Sequence, residues 1–256
     1  MTRDSAQLKE QLISGELFAV HAAPDNVIAW TDGGDVPFRA WLAGSNGPIT
    51  LVARGPSGLS GLRGAKIGVD SPSSGFATIL RRLLATADVG ADEVELVAMG
   101  ATRLRYSALL EGAIDATMLT LPWSLLATQN GAAALADHAL VAPGMLTSCA
   151  ASTADRLERE LDTATAYAEA IDAAMRWLRA DGSGDEAATL LAGDMDLDLD
   201  DARSIIDLMR DPEAGWPSAT RLRGHELEAT WQLRSQAIAE PSRPPSGYVH
   251  ALSARP

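Results

Sequence analysis

Residues 67–87 constrain the fold more than any other stretch, because they join an apolar strand, a polar turn and an amphipathic helix. Ile67 and Val69 end an apolar run, and serine and glycine dominate residues 70–75. The apolar side chains that follow recur every three or four residues, as on one face of a helix: Phe76, Ile79, Leu80, Leu83 and Leu84. A strand followed at once by a helix is typical of parallel sheets, so the sequence predicts an α/β protein.

The turn within this stretch also carries chemistry. Ser73 or Ser74 is placed to cap the helix, because a serine hydroxyl accepts a hydrogen bond from the N–H groups of the first turn. The remaining N–H groups face outward beyond the strand end, where an anion or a carbonyl group binds. Two interpretations follow: the serines only cap a helix, or Ser71, Ser73, Ser74, Gly75 and Phe76 contact a ligand.

Strands and helices alternate along the rest of the chain. The predicted strands are 17–22, 38–43, 49–53, 94–99, 114–121 and 139–142. The predicted helices are 5–14, one that opens at 102, one over 122–131, a long one over 153–180, and shorter ones near 186–192, 201–209 and 226–238. This alternation predicts parallel α/β sheets.

Two segments rich in glycine, proline or serine divide the chain. Residues 54–64 and 143–147 have the composition of crossings between lobes, and the segment between them is long enough for a small lobe. We therefore expect lobe 1 to comprise residues 1–54 and 144–256, and lobe 2 to comprise residues 55–143. The cleft between the lobes is the expected ligand site, because ligands of such sheets bind beyond the carboxyl ends of the strands.

Charge and cysteine content exclude several functions. The 21 basic and 34 acidic residues give a net charge of −13, which excludes nucleic acid and anionic membrane surfaces as expected partners. The single cysteine, Cys149, rules out an internal disulfide and is interpreted as a small buried hydrophobe. Residues 194–200 imitate a calcium loop, but Leu199 and Ile205 replace its glycine and its glutamate. We predict no metal site and no cofactor.

The start of the chain bears on its location. Residues 1–10 are polar and lack the apolar segment of a secretory signal, and no apolar run in the chain has the length of a membrane span. As given, the sequence predicts a cytoplasmic protein, and a periplasmic or extracytoplasmic one if its start is truncated. A homodimer is left open.

Polar turns follow several predicted strands and are expected to converge on the cleft. The further ligand-binding candidates are His21, Asp25, Asn26, Thr102, Arg103, Pro122, Trp123, Met145 and Thr147. Arg103 is a candidate clamp for an anion, and Trp123 is a candidate wall for an apolar or aromatic ligand. His21 and Asp25 can transfer protons. Each has a structural alternative: a surface arginine, a core tryptophan, a hydrogen-bonded histidine and a helix-capping aspartate.

Four segments match a known pattern in order and spacing. They are residues 15–26 (GELFAVHAAPDN), 62–69 (LRGAKIGV), 108–116 (ALLEGAIDA) and 121–123 (LPW). They resemble the "G-x-x-D-x-hydrophobic" opening, the "DLKGKKIGV" strand entry, the "AL-x-x-G-x-I-D-A" element and the "x-P-W" turn of the substrate-binding proteins of ABC importers for nitrate, sulfonate and taurine. The order and spacing of the segments carry this resemblance, which spans roughly residues 8–180.

The resemblance implies a type II periplasmic-binding fold, in which two α/β lobes close on a small ligand that is often an anion. Thiamine-pyrimidine-precursor proteins and some cytoplasmic enzymes share this architecture. Compared with the family, the sequence as given is expected to lack the usual first strand and the signal. Three explanations are open: the start has been trimmed or misassigned, a partner chain fills the gap, or the ligand is bound differently. The partners that the resemblance implies are a small-molecule ligand and an ABC-transporter permease.

Two functions follow from these observations. The first is a solute-binding protein that closes its lobes on a small anionic or polar heterocyclic ligand, and the resemblance favours it. The second is a cytoplasmic enzyme on the same scaffold, a lyase, decarboxylase or ring-forming catalyst with His21 or Asp25 as acid or base. The first predicts saturable binding without turnover, and the second predicts product formation.

Overall fold

The computed structural model of the chain describes residues 5–55, 57–72, 74–212, 215–217 and 219–252. Within these residues the strands form two separate sheets, one of three strands and one of five. The strands are β1 (Val20–Ala22), β2 (Phe38–Ser45), β3 (Ile49–Ala53), β4 (Lys66–Val69), β5 (Glu95–Ala98), β6 (Ala116–Thr120), β7 (Ala133–Asp137) and β8 (Ser148–Thr153). The helices are α1 (Ser5–Ser14), α2 (Pro24–Asp32), α3 (Gly75–Ala85), α4 (Thr102–Leu110), α5 (Trp123–Gln129), α6 (Ala154–Arg159), α7 (Leu161–Arg179), α8 (Gly184–Met195), α9 (Leu199–Arg210) and α10 (Glu228–Ala237).

The five-stranded sheet has the order β5-β4-β6-β3-β7. β4 is parallel to β5 and β6, whereas β3 runs antiparallel to β6 and β7. Buried residues of β4 and α3 pack in one core, among them Ile67 and Leu80. The strand–turn–helix unit predicted over 67–87 is confirmed: β4 leads into α3, and Ser74 Oγ accepts a hydrogen bond from the Ala77 N–H at 3.1 Å.

The three-stranded sheet is antiparallel, which corrects the prediction of parallel sheets. Its central strand, β8, pairs with β1 on one side and β2 on the other. No strand is predicted over residues 148–152, which lie between the predicted crossing at 143–147 and the helix predicted from 153. Residues 149–151 are Cys-Ala-Ala and lack the branched and aromatic side chains of most strands. Pairing on both sides and complete burial, rather than composition, hold them extended.

β3 lies in the five-stranded sheet, although the prediction groups residues 49–53 with the outer segments. Because β3 pairs with β6 and β7, the chain first crosses between the sheets at residues 46–48. It returns at 145–147, since Met145 packs in the core of the five-stranded sheet and Leu146 in that of the three-stranded sheet. The glycine-rich segment 54–64 therefore connects two strands of one sheet. We propose these two crossings as the lobe boundaries.

Two further predictions are wrong in detail. The strand predicted at 139–142 is instead a short 3₁₀ turn, His138–Leu140, and the strand precedes it as β7. Ala133–Asp137 is rich in alanine, which favours helices, and its pairing with β3 makes it a strand. The helix predicted over 153–180 is divided into α6 and α7, because Glu160 leaves helical geometry with φ −116° and ψ 37°.

Helix α10 packs against the cores of both sheets. Its Leu233 belongs to the core of the five-stranded sheet, whereas its Trp231 packs on the core of the three-stranded sheet. The helix also contacts α2 and α3, which start next to the two facing turns. The C-terminal part of the chain therefore links the two lobes at the side of the cleft.

Candidate functional site

A cavity of about 270 Å³ lies where turns of the two lobes face each other. Its walls come from α1, from the turns after β1 and β4, and from the start of α4. The predicted ligand-binding residues that line it are His21, Asp25, Asn26, Ser71, Gly75, Phe76 and Thr102. The carboxyl ends of β1, β4 and β5 thus meet at one cavity, which is where ligands of α/β sheets bind.

Arg105 lines this cavity with 2% of its surface exposed. Its Nη1 donates to the Gly100 carbonyl, and its Nη2 donates to the Met118 carbonyl at 3.2 Å and to Thr102 Oγ1 at 3.3 Å. Its buried Nε–H has no hydrogen-bond partner among the described residues. A buried donor without an acceptor costs about 1–3 kcal/mol, so this N–H is an unsatisfied donor on a residue that lines the cavity.

The charge of Arg105 is not neutralised by an ion pair within the described part of the chain. Burial lowers the pKa of the Arg105 guanidinium, and the charge of Asp70 opposes this effect. Asp70 itself accepts a hydrogen bond from Ser74 Oγ at 2.5 Å. Because a guanidinium stays protonated in proteins, the cavity presents a cation to which an anionic ligand group can bind.

Arg103, the predicted anion clamp, is exposed and does not line the cavity. The arginine that lines the cavity is instead Arg105, which lies on the opposite side of α4 from Arg103. The buried residues of α4 are Arg105, Ala108 and Leu109, and intervals of three and four residues mark one helix face. That spacing is the sequence signal that distinguishes the two arginines.

Asp25 is buried, with 8% of its surface exposed, and it pairs with Arg234 Nη1 at 2.9 Å. Desolvation raises the pKa of the Asp25 carboxyl, while the charge of Arg234 and the Gly75 N–H that hydrogen-bonds to it act in the opposite direction. The lack of a side chain at Gly75 permits this approach, because a Cβ there would lie 2.8 Å from Asp25 Cβ. A carboxylate of lobe 1 thus occupies the N-terminus of α3, where the sequence predicts an external anion.

His21 stands at the edge of the cavity beside two aromatic side chains. Its Nε2 lies 3.0 Å from Tyr167 Oη, and its ring centroid lies 6.4 Å from that of Trp216. Desolvation lowers the pKa of His21, which favours the neutral imidazole. The neutral ring can both donate and accept a hydrogen bond.

Besides Arg103, the predicted residues Ser74 and Trp123 of lobe 2 do not line this cavity. Ser74 Oγ is engaged by both the Ala77 N–H and Asp70. Ser73 lies outside the described residues. Trp123 is half-buried and packs against Tyr106, with ring centroids 5.1 Å apart, at the edge of an apolar core. This position is closer to its structural alternative than to a ligand wall.

Two more of the predicted ligand-binding residues line a second cavity, which has a volume of about 310 Å³. Pro122 and Thr147 line it, between the α8–α9 pair and the turn after β6. Thr147 donates both its N–H and its hydroxyl to the Ser45 carbonyl, at 2.8 and 3.0 Å. Met145 lies beside the crossing and packs in the core of the five-stranded sheet.

Two structural findings concern metals and membranes. Among the described residues, no three His, Cys, Asp or Glu side chains come close enough together to hold a metal ion. Within the same residues, none of the helices combines the length and the apolar character that a bilayer-spanning segment requires.

Comparisons with known proteins agree with this architecture. The model of the NMT1-like family matches residues 6–192. The alkanesulfonate-binding protein SsuA from Xanthomonas axonopodis pv. citri, solved bound to MOPS, is 17% identical, with 96% of this chain and 84% of that chain covered at a TM-score of 0.75. The periplasmic nitrate-binding protein NrtA from Synechocystis PCC 6803 is 12% identical, with 96% and 74% covered at a TM-score of 0.74. No match was found among curated proteins.

A third solved structure bears on the fold alone. The Candida albicans CA3427 gene product, described as having the generic periplasmic binding protein fold, is 14% identical, with 100% of this chain and 86% of that chain covered at a TM-score of 0.71. The predicted α/β fold of the periplasmic-binding type is therefore confirmed.

Proposed function

Because the chain belongs to the NMT1-like family, whose model matches residues 6–192, we propose that it is a solute-binding protein that closes two lobes on a small ligand. The names of the alkanesulfonate-binding and nitrate-binding neighbours support a ligand with an anionic group. The proposal includes no turnover, which separates it from an enzyme on the same scaffold.

The observation that carries the proposal is the buried guanidinium of Arg105. Its Nε–H lacks an acceptor and its charge lacks an ion-pair partner among the described residues, in a cavity bounded by both lobes. An anionic oxygen that accepts from this N–H removes both deficits at once. The neighbouring His21, Asn26, Ser71 and Thr102 supply further hydrogen-bonding groups for the rest of a polar ligand.

An importer role completes the proposal. A sulfonate-binding neighbour from Escherichia coli is described as periplasmic, and one from Staphylococcus aureus as the ligand-binding component of an ABC-type import system. By this analogy the chain delivers its ligand to an ABC-transporter permease and works outside the cytoplasmic membrane. Co-purification of the chain with that permease in the presence of ligand tests this part.

The binding experiment compares two arginines on one helix. Thermal unfolding and calorimetric titration are measured with small carboxylates, sulfonates, sulfate and nitrate, since a ligand that binds the native state raises the melting temperature. We expect Arg105→Gln to weaken the binding of a positive anion hit at least tenfold, because a charge-assisted hydrogen bond contributes about 1.5–3 kcal/mol. The matched control is Arg103→Gln, two residues away and exposed, which we expect to bind like the wild type.

A third variant separates charge from geometry. Arg105→Lys keeps a cation but cannot present an N–H at the Nε position, so we expect it to bind more weakly than the wild type. Circular dichroism verifies that each variant is folded. Equal affinity of the wild type and Arg105→Gln for every bound anion would overturn the proposal, as would product formation from the bound compound.

A further inference from the structure

The second cavity differs in chemistry from the cavity at Arg105. Its wall on the side of the α8–α9 pair consists of Leu191, Met195, Ile205 and Met209, and Trp216 and Pro122 close it from other directions. One of the polar groups at its rim, the Thr147 hydroxyl, already donates a hydrogen bond to the Ser45 carbonyl. A cavity of about 310 Å³ with such walls suits an aliphatic or aromatic group.

The lining also suits a ligand group of variable shape. Two of the wall residues, Met195 and Met209, have unbranched side chains with several rotatable bonds and a polarizable sulfur. Both are only partly buried, so apolar surface faces this space that a ligand can remove from water. A hydrogen bond from Gln129 to Asp201 at 2.7 Å joins the end of α5 in lobe 2 to the start of α9.

The two cavities lie close to each other near His21. His21 lines the cavity at Arg105, and its ring lies 6.4 Å from the ring of Trp216, which lines the second cavity. Gly44 lies next to residues of both cavities. A Cβ added at Gly44 would lie 2.9 Å from Ser148 Oγ and 3.1 Å from His21 Nδ1. Since Ser148 also lines the second cavity, groups of both cavities surround one backbone position.

We propose that the second cavity binds the apolar part of the same ligand whose anionic group binds Arg105. The ligand class is then an organic anion with an aliphatic or aromatic group, rather than an inorganic anion. This inference rests on the proposed function, because it assumes that the anionic group is held at Arg105.

The test measures affinity against the length of the apolar group. Acetate is compared with hexanoate, and methanesulfonate with hexane-1-sulfonate, by calorimetric titration of the whole chain. We expect affinity to rise up to about fourfold per methylene that becomes buried. Leu191→Gln and Met195→Gln should flatten this rise and leave the affinity for the short anions unchanged. The matched control is Leu190→Gln, because Leu190 is adjacent on α8 but 62% exposed, and it should keep the rise.

The outcomes separate this inference from the function on which it rests. Binding that requires Arg105 but does not depend on chain length, or that weakens with it, would overturn the inference and leave the solute-binding proposal intact. An affinity for hexanoate that is the same in the wild type and in Arg105→Gln would also overturn it, because the cavity would then bind the apolar group without help from Arg105. Binding of none of these anions would contradict both.

Discussion

Gly75 and Asp25 bring the lobes closer together than any side chain at position 75 would allow. We expect Gly75→Ala to lower the free energy of unfolding by about 1–3 kcal/mol, because the added methyl group overpacks against a buried carboxylate. Urea denaturation measures the change. The control is Gly193→Ala within α8, where an added Cβ meets no atom, so alanine should stabilise the helix by about 0.5–1 kcal/mol. Equal effects of the two substitutions would contradict the contact with Asp25.

The raised pKa of Asp25 makes a prediction about pH. The folded protein binds a proton at this carboxyl more readily than the unfolded chain does. Its contribution to stability is therefore fully present below the unfolded pKa of about 3.9 and is lost as pH rises through the folded value. The amide side chain in the variant Asp25→Asn does not titrate, so the stability of the wild type relative to this variant should fall as pH rises. Urea denaturation of both proteins from about pH 4 to pH 8 measures it, and a difference in favour of the wild type that grows with pH would contradict the shift.

The residues of the site were only partly predictable from sequence. His21, Asp25, Asn26, Ser71, Gly75, Phe76 and Thr102 line one cavity, because the order of strands and turns is enough to place strand ends together. Their partners were not predictable. Arg234 reaches Asp25 across 209 positions of sequence, and no local pattern announces such a contact. Which of Arg103 and Arg105 faces the protein interior could have been predicted, because Arg105 lies three and four residues before the buried Ala108 and Leu109.

Among the elements, β8 shows most clearly where sequence patterns stop. Its centre carries only small side chains, and these fit because both neighbouring strands and the flanking cores leave little room. Periodicity identified α3, whose apolar face is regular, and could not identify a strand without branched residues. Likewise, β7 is a strand by its pairing with β3 and not by its composition. Long-range pairing decides the structure of such segments.

Cys149 makes β8 open to direct measurement. Burial raises the pKa of its thiol to about 12, and the thiolate is the reactive form. We expect no reaction of the folded protein with a disulfide reagent at pH 8 and complete reaction in concentrated guanidinium chloride. The labelling rate as denaturant increases should follow global unfolding seen by circular dichroism, because β8 is the centre of its sheet. Rapid labelling without denaturant would show that the strand opens locally.

At the scale of the whole molecule, the two sheets are joined by two crossings and by α10. We expect Leu233→Ala to lower the free energy of unfolding by about 2–5 kcal/mol, because it leaves a cavity where α10 meets the core of the five-stranded sheet. Ile238→Ala, just beyond the same helix and 45% exposed, should change it by no more than about 0.5 kcal/mol. Denaturation followed by tryptophan fluorescence measures both, and similar losses would show that Leu233 does not join α10 to that core.

The double attachment of α10 has a mechanical result. A rotation of one sheet relative to the other cannot leave both Trp231 and Leu233 in their present contacts, so each change in the angle between the halves requires repacking along this helix. The bending is consequently restrained by this helix as well as by the covalent crossings, beside which Leu233 lies. A fluorescent label on the exposed residue 238 would then report changes in the angle between the two lobes.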